Sequence, residues 1–462
     1  MRAEVVLEGC VQRIEGPLVF LARKSVLALN SQVEVLGPDG RARIGRIAAL
    51  DTDTAVIEVL ESTTGLGVED TRIRLWDEPL LFDVGPGMLG RTFDSIGRPT
   101  DGGPPVPATR RLRIDGLAIN PAARALPRDF IETGVSTIDL MNSLVRGQKL
   151  PVFSGAGLPH DRLATQIALD ARLLKAEQEA FAIVFVGIGV PHDTAEAFRN
   201  AMASSDALEH TVMFLNLADQ PATQRLLTPR YALTAAEYLA FVEGRHVLCI
   251  LTDMTNYCDA LREVSASHGE LPSRKGYPGY MYSDLASLYE RAGCIQGLPG
   301  SLTQLPILSM PGDDIGHPIA DLTGYITEGQ IVLDRELDRR SIYPPVRVLP
   351  SLSRLMSSGT GEGYTHPDHP ALANQLFACY ARAAHLRVLS SVMGEDSLPE
   401  VDRAFLAFGR AFEEQLVGQE GRRTLAESMA IGWALLGALP ARELTRLSPA
   451  QIERHLHGAP RA

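Results

Sequence analysis

Residues 154–162 read SGAGLPHDR, between the apolar run Leu150, Pro151, Val152, Phe153 and a helical pattern, LATQIALDARLL. A strand, a glycine-bearing turn and a helix in that order are what a phosphate loop requires. In a working loop, G-x-x-x-x-G-K-[ST], the glycines bring backbone N–H groups onto the phosphates, the lysine reaches the outer oxygens and the hydroxyl holds magnesium. Aligned to that pattern, Ser154 stands at the first glycine, Pro159 at the last, His160 at the lysine and Asp161 at the hydroxyl, while Gly155 and Gly157 remain. Proline brings no N–H to a phosphate, a histidine carries at most a weak charge near neutral pH, and an aspartate repels a triphosphate. The residues alone fit a plain glycine-rich turn, which is the simpler account, or a nucleotide cradle that has lost its chemistry.

Apolar runs on either side of this stretch set the fold class. FAIVFVGI, TVMFLNLA, HVLCILTD and QLPILSMP alternate with helical patterns between residues 130 and 350. Fully apolar strands interleaved with helices predict a mainly parallel α/β sheet, with ligands at the carboxyl ends of its strands. Before it, residues 1–75 alternate with period two (Val33/Val35; Ala55/Ile57/Val59) between turn clusters such as GPDG, which predicts a small β-barrel or sandwich. Residues 76–130 are rich in glycine and proline and read as an extended linker, so the middle domain is set at 76–356. From 357 to 462 helical spacing takes over, as in Phe405, Phe408, Phe412 and Leu416, and Ser448-Pro449-Ala450-Gln451 is a capping box for the last helix of a helical bundle.

Composition narrows the function classes. With 45% apolar and 22% charged residues in 462, the chain reads as an ordinary globular protein of two or three domains. A net charge of −12 argues against binding to a phosphate backbone, so no nucleic acid is expected. The five cysteines lack metal-site spacing, which points to reduced thiols in the cytoplasm. The acidic and polar residues of MRAEVVLEGCVQRIEG do not make a signal peptide, and the longest uncharged apolar run is too short to span a bilayer. Any membrane association is expected to go through partners.

Two further positions bear on the loop. Asp253, at the end of HVLCILTD, stands where a magnesium-holding carboxylate would, and Val190, after FVGIG, stands where a carboxylate would polarise water. Valine has no group that takes a proton. Five longer segments then carry a specific likeness: GRTFDSIGRPTDGGPP (90–105), ETGVSTIDLMNSLVRGQKLPVFSGAGLPH (132–160), PSRKGYPGYMYSDLASLYERAG (272–293), GDDIGHPIADLTGYITEGQIVLDREL (312–337) and SIYPPVRVLPSLSRLM (341–356). Over nearly its whole length the chain resembles the B subunits of the V/A-type rotary ATPases, the non-catalytic partners of the catalytic A subunits.

That resemblance implies a RecA-like, P-loop-type core for the parallel sheet, and an alternating A3B3 ring around a central shaft, with peripheral stalk subunits outside and the membrane reached only through the ion-translocating sector. It implies no tightly bound cofactor, and ATP or ADP with magnesium at the interface with the catalytic subunit. It places Arg354, in PSLSRLM, as an arginine finger acting in trans. A guanidinium suits that role because it stays charged and forks onto two oxygens of a transferring phosphoryl group. The resemblance also sets Tyr343 beside a base, and makes Gly155, Gly157, His160 and Asp161 the relic of an ancestral nucleotide site. The acidic pair Asp313 and Asp314 reads as solvated turn carboxylates. The alternative is an autonomous nucleotide hydrolase whose degenerate loop uses His160 in place of lysine.

Overall fold

A computed structural model of the chain describes residues 5–23, 27–116, 119–174 and 181–456. The chain divides into two compact units, one of Met1–Ala118, Val184–Glu243 and Asp253–Arg291, the other of Ile119–Ile183, Gly244–Thr252 and Ala292–Ala462.

In the first unit the N-terminal residues form one antiparallel sheet of seven strands, from Val5–Leu7 to Arg72–Pro79. Alternate residues, Val33, Val35, Ile47, Ala55, Ile57, Val59 and Ile73 among them, turn to a shared core. This is the period-two pattern of the sequence, with one face buried. The stretch expected to be a linker does more than link. Strand Leu81–Val84 pairs with Arg110–Arg113, and Thr92–Phe93 pairs in parallel with Thr211–Leu217. Glycine and proline make the turns, but Phe82, Val84, Met88, Phe93 and Ile96 are buried, and Phe93 stacks on Phe214 with ring centroids 5.1 Å apart. Sparse aromatic anchors, rather than a continuous apolar run, hold this segment to its neighbours.

The second unit carries the sheet that positions the site. Its order is Val346–Ser353, Gly329–Leu333, Val152–Gly155, Ser301–Met310 and His246–Thr252. All are parallel except the first, which runs antiparallel to Gly329–Leu333. Its C-terminal helices are His369–Met393, Glu400–Ala411, Leu425–Leu436 and Pro449–His455. Phe405, Phe408, Phe412 and Leu416 are buried together as their spacing requires, although Phe412–Val417 winds as a π-helix. Ser448 accepts from the N–H of Gln451, whose side chain accepts in return from the N–H of Ser448. No helix among the described residues is long and apolar enough to cross a membrane.

Candidate functional site

The loop after strand Val152–Gly155 leads into helix His160–Asp170, as a phosphate loop would. Gly157 takes φ +79, a left-handed turn that an L side chain resists. Gly155 is glycine for another reason: a Cβ there would lie 2.0 Å from a carboxylate oxygen of Asp313. Asp313 in turn holds Arg335, whose Nε and Nη2 donate to its two oxygens at 2.8 and 2.9 Å while Nη2 also donates to the carbonyl of Ala156 at 2.9 Å. This pairing keeps the Asp313 carboxyl below the usual carboxylate range. An ion pair of the chain's own therefore covers the loop.

His160 and Asp161 are likewise engaged within the chain. His160 Nδ1 lies 3.1 Å from the Ser154 hydroxyl, and Asp161 accepts from the Thr252 hydroxyl at 3.1 Å. Pro159 occupies the N-cap of the helix and gives it no side-chain cap. Tyr343 is brought to the same helix: its hydroxyl donates to Gln166 at 3.0 Å and the Arg162 guanidinium sits over its ring at 3.7 Å. Burial pushes the Tyr343 phenol up to about 12, so it is a neutral donor. The loop and Tyr343 thus share one helix, with the Arg162 guanidinium over one face of the Tyr343 ring.

Asp253 and Val190 lie in the first unit. Asp253 caps helix Met254–Ser267 by accepting the Thr255 N–H at 2.7 Å. Val190 is buried.

Arg354 is set apart from the loop. It follows strand Val346–Ser353, in which Ser353 lies opposite Gly329; Phe153, just before the loop, lies opposite Val332. Along the strands Arg354 is therefore level with residue 328 and Gly155 with residue 334, a separation of roughly 20 Å at about 3.3 Å per residue. One arginine side chain does not bridge that. Arg354 is exposed, and its Nη1 donates to the carbonyl of Thr327 at 3.3 Å. Thr327 ends helix Pro318–Ile326, where partial negative charge favours a cation. Among the described residues Arg354 enters no ion pair.

Beneath it lies a pair that the motifs do not announce. Lys149 Nζ contacts Glu328 Oε1 at 2.9 Å, and the backbone N–H of Lys149 donates to Oε2 at 2.8 Å. The Glu328 carbonyl accepts from the backbone N–H of Arg354 at 3.0 Å and from Gln148 at 3.1 Å. The one signal for Lys149 in the sequence is rarity: of 44 basic residues only Lys24, Lys149, Lys175 and Lys275 are lysine. Nothing in the sequence signals Arg335 and Arg162, which act through contacts distant in the chain.

Comparison with known proteins matches the chain to a family. The profile of the ATP synthase alpha/beta family nucleotide-binding domain matches residues 134–353, that family's beta-barrel domain matches 11–74, and the C-terminal domain of V and A type ATP synthase matches 358–456. The V-type ATP synthase beta chain of Halothermothrix orenii is 52% identical over 97% of this chain and 97% of its own length. The chain belongs to the B subunits of the V/A-type ATP synthases. A B subunit of the A-type ATP synthase of Methanospirillum hungatei is 51% identical, covering 96% of this chain and 97% of its own. Among solved structures, the ATP synthase subunit NeqB from Nanoarcheaum equitans aligns with a TM-score of 0.72 and 35% identity, over 94% of this chain and all of that one. The chain is thus part of a V/A-type ATP synthase complex, and the loop at 154–162 lies inside its nucleotide-binding-type domain.

Proposed function

We propose that this B subunit is non-catalytic and completes the site of a catalytic A subunit in trans through Arg354. The observation that carries the reading is the separation described above: an exposed guanidinium, in no ion pair among the described residues, stands at the opposite end of the strands from the chain's own loop. An arginine placed so is of no use to its own chain's phosphate loop and is free to serve a neighbour's. Phosphoryl transfer spreads negative charge over the equatorial oxygens, and an arginine supplied from outside raises the rate by roughly 10³ to 10⁵. ATP and magnesium would be held by the partner, and this chain would add one fixed positive charge.

The loop supports the same reading from the other side. Asp313 and Arg335 cover Gly155 and Ala156, Pro159 lacks an N–H, and His160 and Asp161 bond within the chain. The residues present do not fit a tightly held triphosphate. We also propose a division at 75 and 356 into barrel, nucleotide-binding-type and helical domains, and transmission of partner closure to a central shaft. For the latter, Val388, Leu389, Val392 and Met393 leave an exposed apolar end on helix His369–Met393.

The test is steady-state ATP hydrolysis by the purified chain alone and after assembly with its catalytic partner. The expected result is no turnover alone and strong turnover on assembly. Turnover by the lone chain that His160→Ala abolishes would establish the autonomous hydrolase instead.

A further inference from the structure

We infer that Lys149 is a positioning residue for the trans reaction: it holds the Glu328 carboxylate away from Arg354 and so keeps that guanidinium available. The inference rests on the role proposed for Arg354.

Two opposite charges stand on neighbouring backbone. The Arg354 guanidinium bonds the carbonyl of Thr327, and the next residue is Glu328, whose own carbonyl takes the Arg354 N–H. A glutamate so close to an arginine would ordinarily form the strong, two-pronged ion pair that guanidinium and carboxylate geometry favours. It does not. Both Glu328 oxygens face Lys149, one on the ammonium and one on the backbone N–H. The Lys149 side chain is 6% exposed and that of Glu328 29%, so the pair is held mostly out of water.

Removing one partner of a pair in such a site leaves a charge that must find another counterion. With Lys149 gone, the Glu328 side chain turns to the guanidinium of Arg354, whose backbone N–H the Glu328 carbonyl already takes. The finger is then neutralised and drawn down onto its own chain. In a chain whose basic residues are nearly all arginine, a lysine suits this position because its compact ammonium meets one carboxylate oxygen and leaves the other to the backbone.

The test uses the assembled ring and reads kcat and KM for ATP with Arg354→Ala, Lys149→Met and the double variant Lys149→Met/Glu328→Gln. Arg354→Ala is expected to lower kcat roughly a thousandfold or more. Lys149→Met is expected to lower kcat at least tenfold with KM within about twofold, and Glu328→Gln in that background to restore kcat to within about threefold of wild type. Wild-type turnover by Arg354→Ala would overturn the role of Arg354 itself. Loss in Arg354→Ala with an unaffected Lys149→Met ring, or a double variant no better than the single, would leave that role standing and overturn the one given to Lys149. If Lys149→Met does not assemble, Lys149→Gln takes its place, and failure of both makes Lys149 a structural residue and ends the proposal.

Discussion

His369 shows how far one buried side chain can carry pH dependence. It is fully buried, with Nε2 donating to the carbonyl of Leu140 at 2.9 Å and Nδ1 lying 3.0 Å from the Thr365 hydroxyl. Burial, aided by nearby His366, pushes its imidazole down to about 4. The unfolded chain therefore takes up this proton at higher pH than the folded one, so stability is complete above about pH 6.5 and is lost as pH falls from there towards 4. Between pH 7 and pH 5 the loss from this residue is about 2 kcal/mol. Urea midpoints at the two pH values should show that slope in wild type and lack it in His369→Gln; equal slopes would refute the assignment. Residue by residue, the sequence made the loop's missing lysine plain because the absence falls inside a fixed spacing. It could not show Asp313 or Arg335 over Gly155, since Gly155 and Arg335 are 180 positions apart and meet only through strand order.

At the scale of elements, the π-helical turn Phe412–Val417 is where helical periodicity gave the right faces and the wrong winding. Glu413 lies in it, buried, and accepts from Arg340 at 2.6 Å and Tyr380 at 2.9 Å while pairing with Arg387 at 2.8 Å. Shortly downstream Gln419 donates its backbone N–H to the Tyr343 carbonyl, and its side chain accepts the Ser136 N–H. A wider turn sets Glu413 among three donors, a demand invisible in a pattern of phenylalanines. Both arginines are a third or more exposed, so solvent screens part of the pairing, and Glu413→Ala should cost about 2 kcal/mol of unfolding free energy. Chemical denaturation measures it, and a change below about 0.5 kcal/mol would show that the three donors do not depend on Glu413. The segment at 76–130 teaches the converse. Its glycines and prolines announced turns correctly, but its short strands rest on isolated aromatic contacts such as Phe93 on Phe214, which have no period to detect.

For the whole molecule, the alternation of apolar strands with helices carried the α/β core, the period-two stretch carried the barrel, and helical spacing carried the C-terminal bundle. Each is a repeat that burial on one face imposes on sequence, which is why each was legible. The functional division was legible only as motifs, because Arg354 and the loop belong to different ends of the same strands and their separation depends on one antiparallel edge strand. On the role proposed for Arg354, that arrangement would let the chain contribute to a neighbour's chemistry. The most direct measurement is ATP turnover by the assembled ring with Arg354→Ala and with Arg354→Lys, at saturating ATP. A fall in kcat of roughly a thousandfold or more for alanine is predicted, with lysine recovering only a small part of it because a point charge replaces a fork. Wild-type turnover in both variants, in rings shown to be complete, would contradict the account.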